Sequence, residues 1–266
     1  MEADARVVQE VIDRGYAIIP GALPSSRVEA LKTELGRAVE EDLLLFDAEE
    51  RRTGIPHPDR WMVHNAMLRG AELARMIEHA LMHAYFTRFL GDACILYAYQ
   101  TSSMPPFGTN YSNRIHVDCP RLIPGYPTNM GVFFALDDMT EENGATYFLP
   151  GSQNRLDMPA KAEFTAKAER AVCPAGSMIL MNPRTWHRGG NNLTDKPRHA
   201  LTIGACRSYM RSRFDFPRLI ANTESDILDR VGEVGRRFLG YNVRIPASMD
   251  EYYLPPDQRL YRPNQG

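Results

Sequence analysis

The chain lacks most of the features that would assign it quickly. Its 266 residues hold no repeat, no low-complexity stretch and no apolar run of membrane-spanning length, for which about 20 consecutive apolar residues are needed. Four cysteines, Cys94, Cys119, Cys173 and Cys206, show no CxxC spacing and no dense framework. They predict reduced thiols in a cytoplasmic protein, with Cys119 read as a small buried residue. Neither sign of charge dominates: the formal net charge is −2, which gives no electrostatic footprint for nucleic acid or an anionic membrane surface. The opening stretch Met1-Glu2-Ala3-Asp4-Ala5-Arg6 is acidic and has no apolar centre, so no secretory signal is expected. A soluble protein with a small-molecule partner remains, its oligomeric state open.

Hydrophobic patterning divides the chain. A short amphipathic helix is predicted over 7–14, then a buried strand at Tyr16-Ala17-Ile18-Ile19, broken by Pro20-Gly21. Leu23-Pro24-Ser25-Ser26 sets up a helix start with serine as cap candidate, and Val28, Leu31, Leu35 and Val39 recur at helical spacing as far as Asp42. Residues 47–60, rich in Asp, Glu, Arg and Pro, predict an exposed loop; Glu72 to Leu90 predicts a helix with Met76, Ile77, Leu81 and Phe86 in the core. After Gly91 the character changes to short strands, beginning with 95–101 and split by turns such as Asn143-Gly144, Pro150-Gly151 and Gly189-Gly190. The pattern predicts a single domain over 1–266: a helical part over about 1–90, a core over about 91–210 and a C-terminal extension over 211–266. The fold class expected is mainly β with N-terminal helices, a double-stranded β-helix of the jelly-roll, cupin-like kind. The tail predicts a helix over 226–239 and a proline- and tyrosine-rich surface wrap over 246–266.

Chemistry concentrates in Asn113-Arg114-Ile115-His116-Val117-Asp118. Residues two apart on a strand face the same side, so His116 and Asp118 can converge on one ion. His187, in Trp186-His187-Arg188, supplies a candidate third ligand. Two imidazoles and one carboxylate on one face leave positions open and suit non-heme Fe(II) that must bind oxygen and an organic partner. Arg198 follows His187 by eleven residues, across a Gly-Gly-Asn-Asn turn and at the head of a predicted strand over 198–206. Its planar guanidinium can grip a carboxylate with two parallel hydrogen bonds.

These residues resemble the Fe(II)/2-oxoglutarate-dependent dioxygenases, and within them the phytanoyl-CoA dioxygenase-like branch. Gly15-Tyr16-Ala17-Ile18-Ile19-Pro20-Gly21 is similar to that branch's N-terminal opening. Phe134-Ala135-Leu136-Asp137-Asp138 and Glu142-Asn143-Gly144-Ala145-Thr146 are similar to the segment after its metal pair. Leu149-Pro150-Gly151-Ser152-Gln153 resembles its Pro-Gly-Ser-His motif, with Gln153 where histidine is commoner. The resemblance covers about residues 15–207. It implies Fe(II) on His116, Asp118 and His187, 2-oxoglutarate as co-substrate with its far carboxylate on Arg198, and O2 as oxidant. It also implies succinate and CO2 as products, with a C–H bond of the substrate oxidised. The carboxylate at Asp118 points to hydroxylase-type chemistry, because related halogenases carry a small residue there to admit chloride.

Each residue also has a plainer reading. His116 alone is a core or turn histidine, Asp118 a surface carboxylate, and His187 half of an aromatic pair at a strand end. Arg198 alone is a surface strand residue, a role assigned instead to Arg188 and Lys196. Thr146 and Gln100 are candidate co-substrate contacts as well as plain strand residues. Candidate substrate contacts are Asn113, Arg114, Asn129 and Arg207, with Arg211 beyond the last strand. Trp61, Met62, His64 and Asn65 are candidates to cap the cavity, and Tyr252, Tyr253 and Tyr261 a lid or packing. Two competing functions stay open at this point: a cupin-like metal enzyme that does not use 2-oxoglutarate, and a non-catalytic jelly-roll binding protein.

Overall fold

In the computed structural model, which describes residues 2–241, 243, 246 and 248–258, the chain opens with α1 (Ala5–Arg14). Asp4 caps this helix by accepting from the Arg6 amide. Gly15, left-handed at φ 87°, ends it and returns its own N–H to Val11, a conformation that favours glycine. The chain then passes directly into β1 (Tyr16–Ile19). The next helix, α2, runs over Ser25–Thr53. Its first half buries Val28, Leu31, Leu35, Ala38 and Val39, whereas Leu44 and Leu45 in the second half are exposed.

The exposed loop expected over 47–60 is therefore displaced: α2 continues to Thr53 and stops at Gly54. A run of Glu, Arg, Leu and Ala is polar but strongly helix-forming, so its polarity marks an exposed helix rather than a loop. The opposite correction applies to 72–90. That stretch divides into α3 (Ala71–Arg75), a 3-10 turn over Met76–Glu78 and α4 (Ala80–Leu90). The break falls at His79, whose ring accepts from the Met82 amide and so starts α4.

Among the described residues, eight strands form two antiparallel sheets. The remaining strands are β2 (Ile95–Thr101), β3 (Asn129–Ala135), β4 (Tyr147–Phe148), β5 (Glu169–Arg170), β6 (Met178–Met181), β7 (His187–Arg188) and β8 (Ala200–Cys206). The larger sheet has the order β1-β6-β3-β8-β2 and the smaller the order β5-β4-β7. Period-two alternation sorts the side chains of the larger sheet. Met130, Val132 and Phe134 on β3, with Leu201, Ile203 and Ala205 on β8, pack against the helices. Phe133, Ala135 and Ala200 point the other way, toward Phe148 and Ala145 of the smaller layer. Cross-strand partners such as Val132 and Ile203 keep the two sets in register.

The mainly-β double-stranded β-helix is not what forms. The fold is mixed α/β, 37% helical, with nine α-helices among the described residues and two open sheets that do not close into a barrel. The reason lies in the smaller sheet. Its three strands are two residues long each, too short to carry a second wall around to the first. The intervening chain makes turns and isolated bridges instead, and helices cover the outer face of the larger sheet. The other helices are α5 (Lys161–Lys167), α6 (Phe216–Ala221), α7 (Ile227–Arg230), α8 (Glu233–Phe238) and α9 (Met249–Tyr252). The single helix expected over 226–239 is thus two, parted at Val231-Gly232. Of the expected tail wrap, 246 and 248–258 are described and 247 and 259–266, with Tyr261, lie outside the described residues. No described helix is long and apolar enough to cross a membrane.

Two helix starts depend on glutamates from elsewhere. Glu34 on α2 accepts from the Ala71, Glu72 and Leu73 amides at 2.9, 3.2 and 3.0 Å, and Glu78 accepts from Gly232 and Gly235 at the start of α8. Each satisfies orphan N–H groups and sets negative charge at the positive end of a helix. Glu34→Ala is expected to cost about 1–3 kcal/mol of unfolding free energy, measured by urea titration, because three amides lose their acceptor together.

All four cysteines are free and buried. Burial pushes the Cys94 thiol up to about 11 and the Cys206 thiol up to about 12. The folded protein is therefore expected to resist a disulfide thiol reagent at neutral pH, with all four cysteines reacting once denaturant is added; rapid reaction of the native protein would contradict this burial.

Candidate active site

Two backbone hydrogen bonds build the centre. The His116 amide donates to the His187 carbonyl at 2.9 Å, and the His187 amide donates to the His116 carbonyl at 3.0 Å. Residues that exchange both bonds stand directly opposite in an antiparallel pair, with side chains on one face. The imidazole centroids lie 4.2 Å apart. Two residues on, the Asp118 amide donates to the Pro183 carbonyl at 2.9 Å, which holds its carboxylate on the same side as His116. His116 sits on an isolated bridge rather than in a full strand, but the pairing still delivers the alternation.

Both rings are oriented by the same device. Nδ1 of His116 donates to the Arg114 carbonyl at 2.7 Å, and Nδ1 of His187 donates to the Thr185 carbonyl at 2.9 Å. A ring nitrogen facing a carbonyl carries the proton, so each Nε2 is left free as a donor atom for a metal. Nε2 of His116 lies 3.5 Å from Asp118 Oδ1, and Nε2 of His187 lies 3.7 Å from Oδ2. One ligand atom from each of the three residues falls within 4.8 Å of the others.

The electrostatics draw a cation to this point. Enclosure in the cavity penalises the Asp118 carboxylate, but His187 and His116 beside it outweigh the penalty and hold its pKa below the usual value. The side chain is nonetheless 47% accessible, because it opens on the cavity. Burial disfavours a charged His116, but the neighbouring Asp118 carboxylate and the Arg114 carbonyl together outweigh it and raise its pKa. His187, only 4% exposed and stacked on Phe148 at 5.7 Å, is pushed down by burial and stays neutral. Neutral His187 and ionised Asp118 are the forms a divalent metal requires, and a metal would displace any proton that His116 carries on Nε2.

In front of the centre lies a cavity of about 520 Å³, bounded by Tyr97, Gln100, Tyr111, Arg114, Thr202 and Arg213 among others. Gln100 pairs with Thr202 across β2 and β8, and its Oε1 accepts from Arg213 at 2.6 Å. Thr202 Oγ1 is buried without a hydrogen-bond partner. Arg114 and Asn129 also line this space. Asn129 Oδ1 accepts from Thr128 at 2.9 Å. Asn113 stands outside the cavity, tied to Asn191 and Arg188. Arg207 lines a neighbouring cavity. Its guanidinium donates to the Phe89, Leu90 and Pro127 carbonyls and stacks on Tyr126.

Arg198 sits two residues before β8, bridged to Met104, and strand parity puts it on the face of Ala200, Thr202 and Gly204. It is 1% exposed. Its guanidinium donates to the Ser102 and Gly144 carbonyls at 3.1 Å each, while Nε is buried without a partner. No described carboxylate lies within ion-pair distance of it, and burial lowers its pKa to about 10. Thr146, two residues past Gly144, is buried, and its carbonyl accepts from Ala171. Of the expected capping residues, His64 is bridged to Gln100 and bonded to Asp59 on the cavity wall, with Met62 buried and Trp61 and Asn65 held in left-handed turns. Arg211 lines a third cavity, and Tyr252 and Tyr253 are exposed.

Several wall residues escaped the sequence reading, Tyr97, Tyr111, Thr202 and Arg213 among them. Thr202 was within reach, since it shares the parity of Arg198. Arg213 carried no signal that separates it from Arg207 and Arg211 nearby.

The phytanoyl-CoA dioxygenase (PhyH) family profile matches residues 12–200. A protein of Mycobacterium tuberculosis of uncharacterised function is 29% identical over 95% of this chain and 92% of its own length. The dioxygenase FUM3 of Gibberella moniliformis is 23% identical over 88% of this chain and 81% of its own. Among solved structures, SnoK, an alpha-ketoglutarate-dependent carbocyclase from nogalamycin biosynthesis, superposes with a TM-score of 0.63 at 19% identity, covering 87% of this chain and 94% of its own. His187→Ala and Asp118→Ala are expected to weaken divalent-metal binding by more than the roughly 10–100-fold that loss of an outer-shell partner costs. Anaerobic calorimetry with Fe(II) measures it, and unchanged affinity removes that residue from the centre.

Proposed function

The chain belongs to the phytanoyl-CoA dioxygenase family, and from that premise we propose hydroxylase-type oxidation of a C–H bond in a small or medium-sized biosynthetic intermediate. It is a non-heme Fe(II)- and 2-oxoglutarate-dependent oxygenase. The observation that carries this reading is the convergence of His116, Asp118 and His187 on one point, with the cavity in front of them. A biosynthetic substrate is favoured by the relative that acts in nogalamycin biosynthesis.

When bound, iron and 2-oxoglutarate supply the oxidising power, consuming O2 and releasing succinate and CO2. The protein's residues do the rest. His116, Asp118 and His187 would hold the metal, and a set of three protein ligands leaves room for others. Arg198 takes the far carboxylate of 2-oxoglutarate. A buried guanidinium with only two carbonyl acceptors lacks the counter-charge that burial demands, and a dicarboxylate provides it. Because Ser102 and Gly144 already hold the guanidinium, the co-substrate meets a fixed partner. Thr202, with its unpartnered hydroxyl, is placed on the same face to donate to the co-substrate or to the substrate. The retained carboxylate at Asp118 favours oxygen insertion over halogen transfer.

Arg198→Gln tests the assignment. Loss of a charge-assisted contact predicts that roughly 10–100-fold more 2-oxoglutarate is needed to saturate the visible charge-transfer band formed anaerobically with Fe(II), while Fe(II) affinity measured alone is retained. An unchanged requirement would give Arg198 another task. No band at all in the native protein, with iron bound, would overturn the 2-oxoglutarate reading.

A further inference from the structure

We propose that the substrate carries an anionic group, a carboxylate or a phosphate, received by Arg213 and Arg114 at the wall of the metal cavity. This deepens the function proposed above and rests on it. Both residues line the cavity that contains His116 and Asp118, and neither makes an ion pair with a described residue. Other described arginines are ion-paired. Arg14, Arg60, Arg69, Arg155 and Arg230, for example, each have a carboxylate within 3.1 Å.

Arg213 is aimed rather than free. Its amide is anchored to the Tyr97 carbonyl at 2.9 Å, and Nη1 donates to Gln100 Oε1 at 2.6 Å. Gln100 is a neutral acceptor, so it fixes the direction of the guanidinium without cancelling the charge. Arg114 lies on the opposite side of the sequence motif, two residues before His116, with its guanidinium over the Tyr111 ring at 5.8 Å. The remaining carboxylate on the wall, Asp59, is engaged by His64 at 3.1 Å.

Charge balance sharpens the argument. In the loaded site the doubly positive metal, the Asp118 carboxylate, the doubly negative co-substrate and Arg198 cancel one another. Arg114 and Arg213 then outnumber Asp59, the remaining carboxylate on the wall, and leave net positive charge beside the place where a substrate must be positioned. A planar guanidinium presents paired donors to a carboxylate or phosphate. An acid docked there would have its reacting carbon set by the span from the arginines to the metal.

The test is anaerobic titration calorimetry of the protein loaded with Fe(II) and saturating 2-oxoglutarate, which occupies Arg198. The probes are 4-phenylbutyrate, phenyl phosphate and the neutral 4-phenylbutanamide. At least one anion is expected to bind about tenfold or more tightly than the amide, and whichever wins selects carboxylate or phosphate. Arg213→Gln and Arg114→Gln should erase that preference, and Arg213→Lys should restore part of it. A variant that has merely lost its fold loses amide and anion binding together, so the ratio reads the guanidinium itself. Equal binding of anion and amide, binding of neither, or a preference that survives both substitutions overturns the proposal. Absence of the charge-transfer band before any probe is added overturns the oxygenase reading instead, so the two failures are distinguishable.

Discussion

The reciprocal pair of hydrogen bonds between His116 and His187 is the constraint on which the rest depends. It joins residues far apart in the chain and decides at once that two imidazoles share a face. It also aligns Asp118 against Pro183. Each ring is then turned by a carbonyl two residues earlier, so the donor atoms are set by backbone geometry alone. The histidines need no long-range side-chain network to hold them. Everything outward of this pair, from the stacked Phe148 to the cavity wall, is arranged around a centre that already exists.

The larger sheet is the frame that carries the centre. Strict alternation on β3 and β8 sends one set of side chains into the helical layer and the other toward the cavity and the smaller sheet. The same alternation lines up Thr202 and Gly204 on β8 with Arg198 just before it. The helical layer is locked by carboxylates that cap helices to which they do not belong, Glu34 for α3 and Glu78 for α8. Stability on one face and chemistry on the other are thus properties of a single set of strands.

How much of this was legible in the sequence depended on whether the signal was local. The His116 and Asp118 spacing, the strands 16–19 and 95–101 and the position of the start of α2 are written in neighbouring residues, and the structure has them there, although Pro24 rather than a serine stands at the cap of α2. The fold class was misread because turn-rich sequence after Gly91 was counted as strands, whereas β4, β5 and β7 contain two residues each. The long reach of α2 was missed because a charged, exposed helix and a charged loop look alike without their tertiary partners. His79 ends one helix and begins another through a ring hydrogen bond, which no periodicity shows. Arg213 becomes distinct from its neighbours only when the chain brings it to Gln100.

The metal centre is held by main-chain pairing, whereas the cavity mouth is furnished by side chains on irregular segments, Tyr111 and Arg114 before the motif and Arg213 after the last strand. The two parts therefore answer to different kinds of change. A substitution at the mouth alters which molecule is admitted without moving the atoms that oxidise it, because no ladder hydrogen bond runs through that side chain. Catalytic power and molecular preference can drift independently in such a scaffold. New preferences are open to it one side chain at a time, with the reactive apparatus inherited whole.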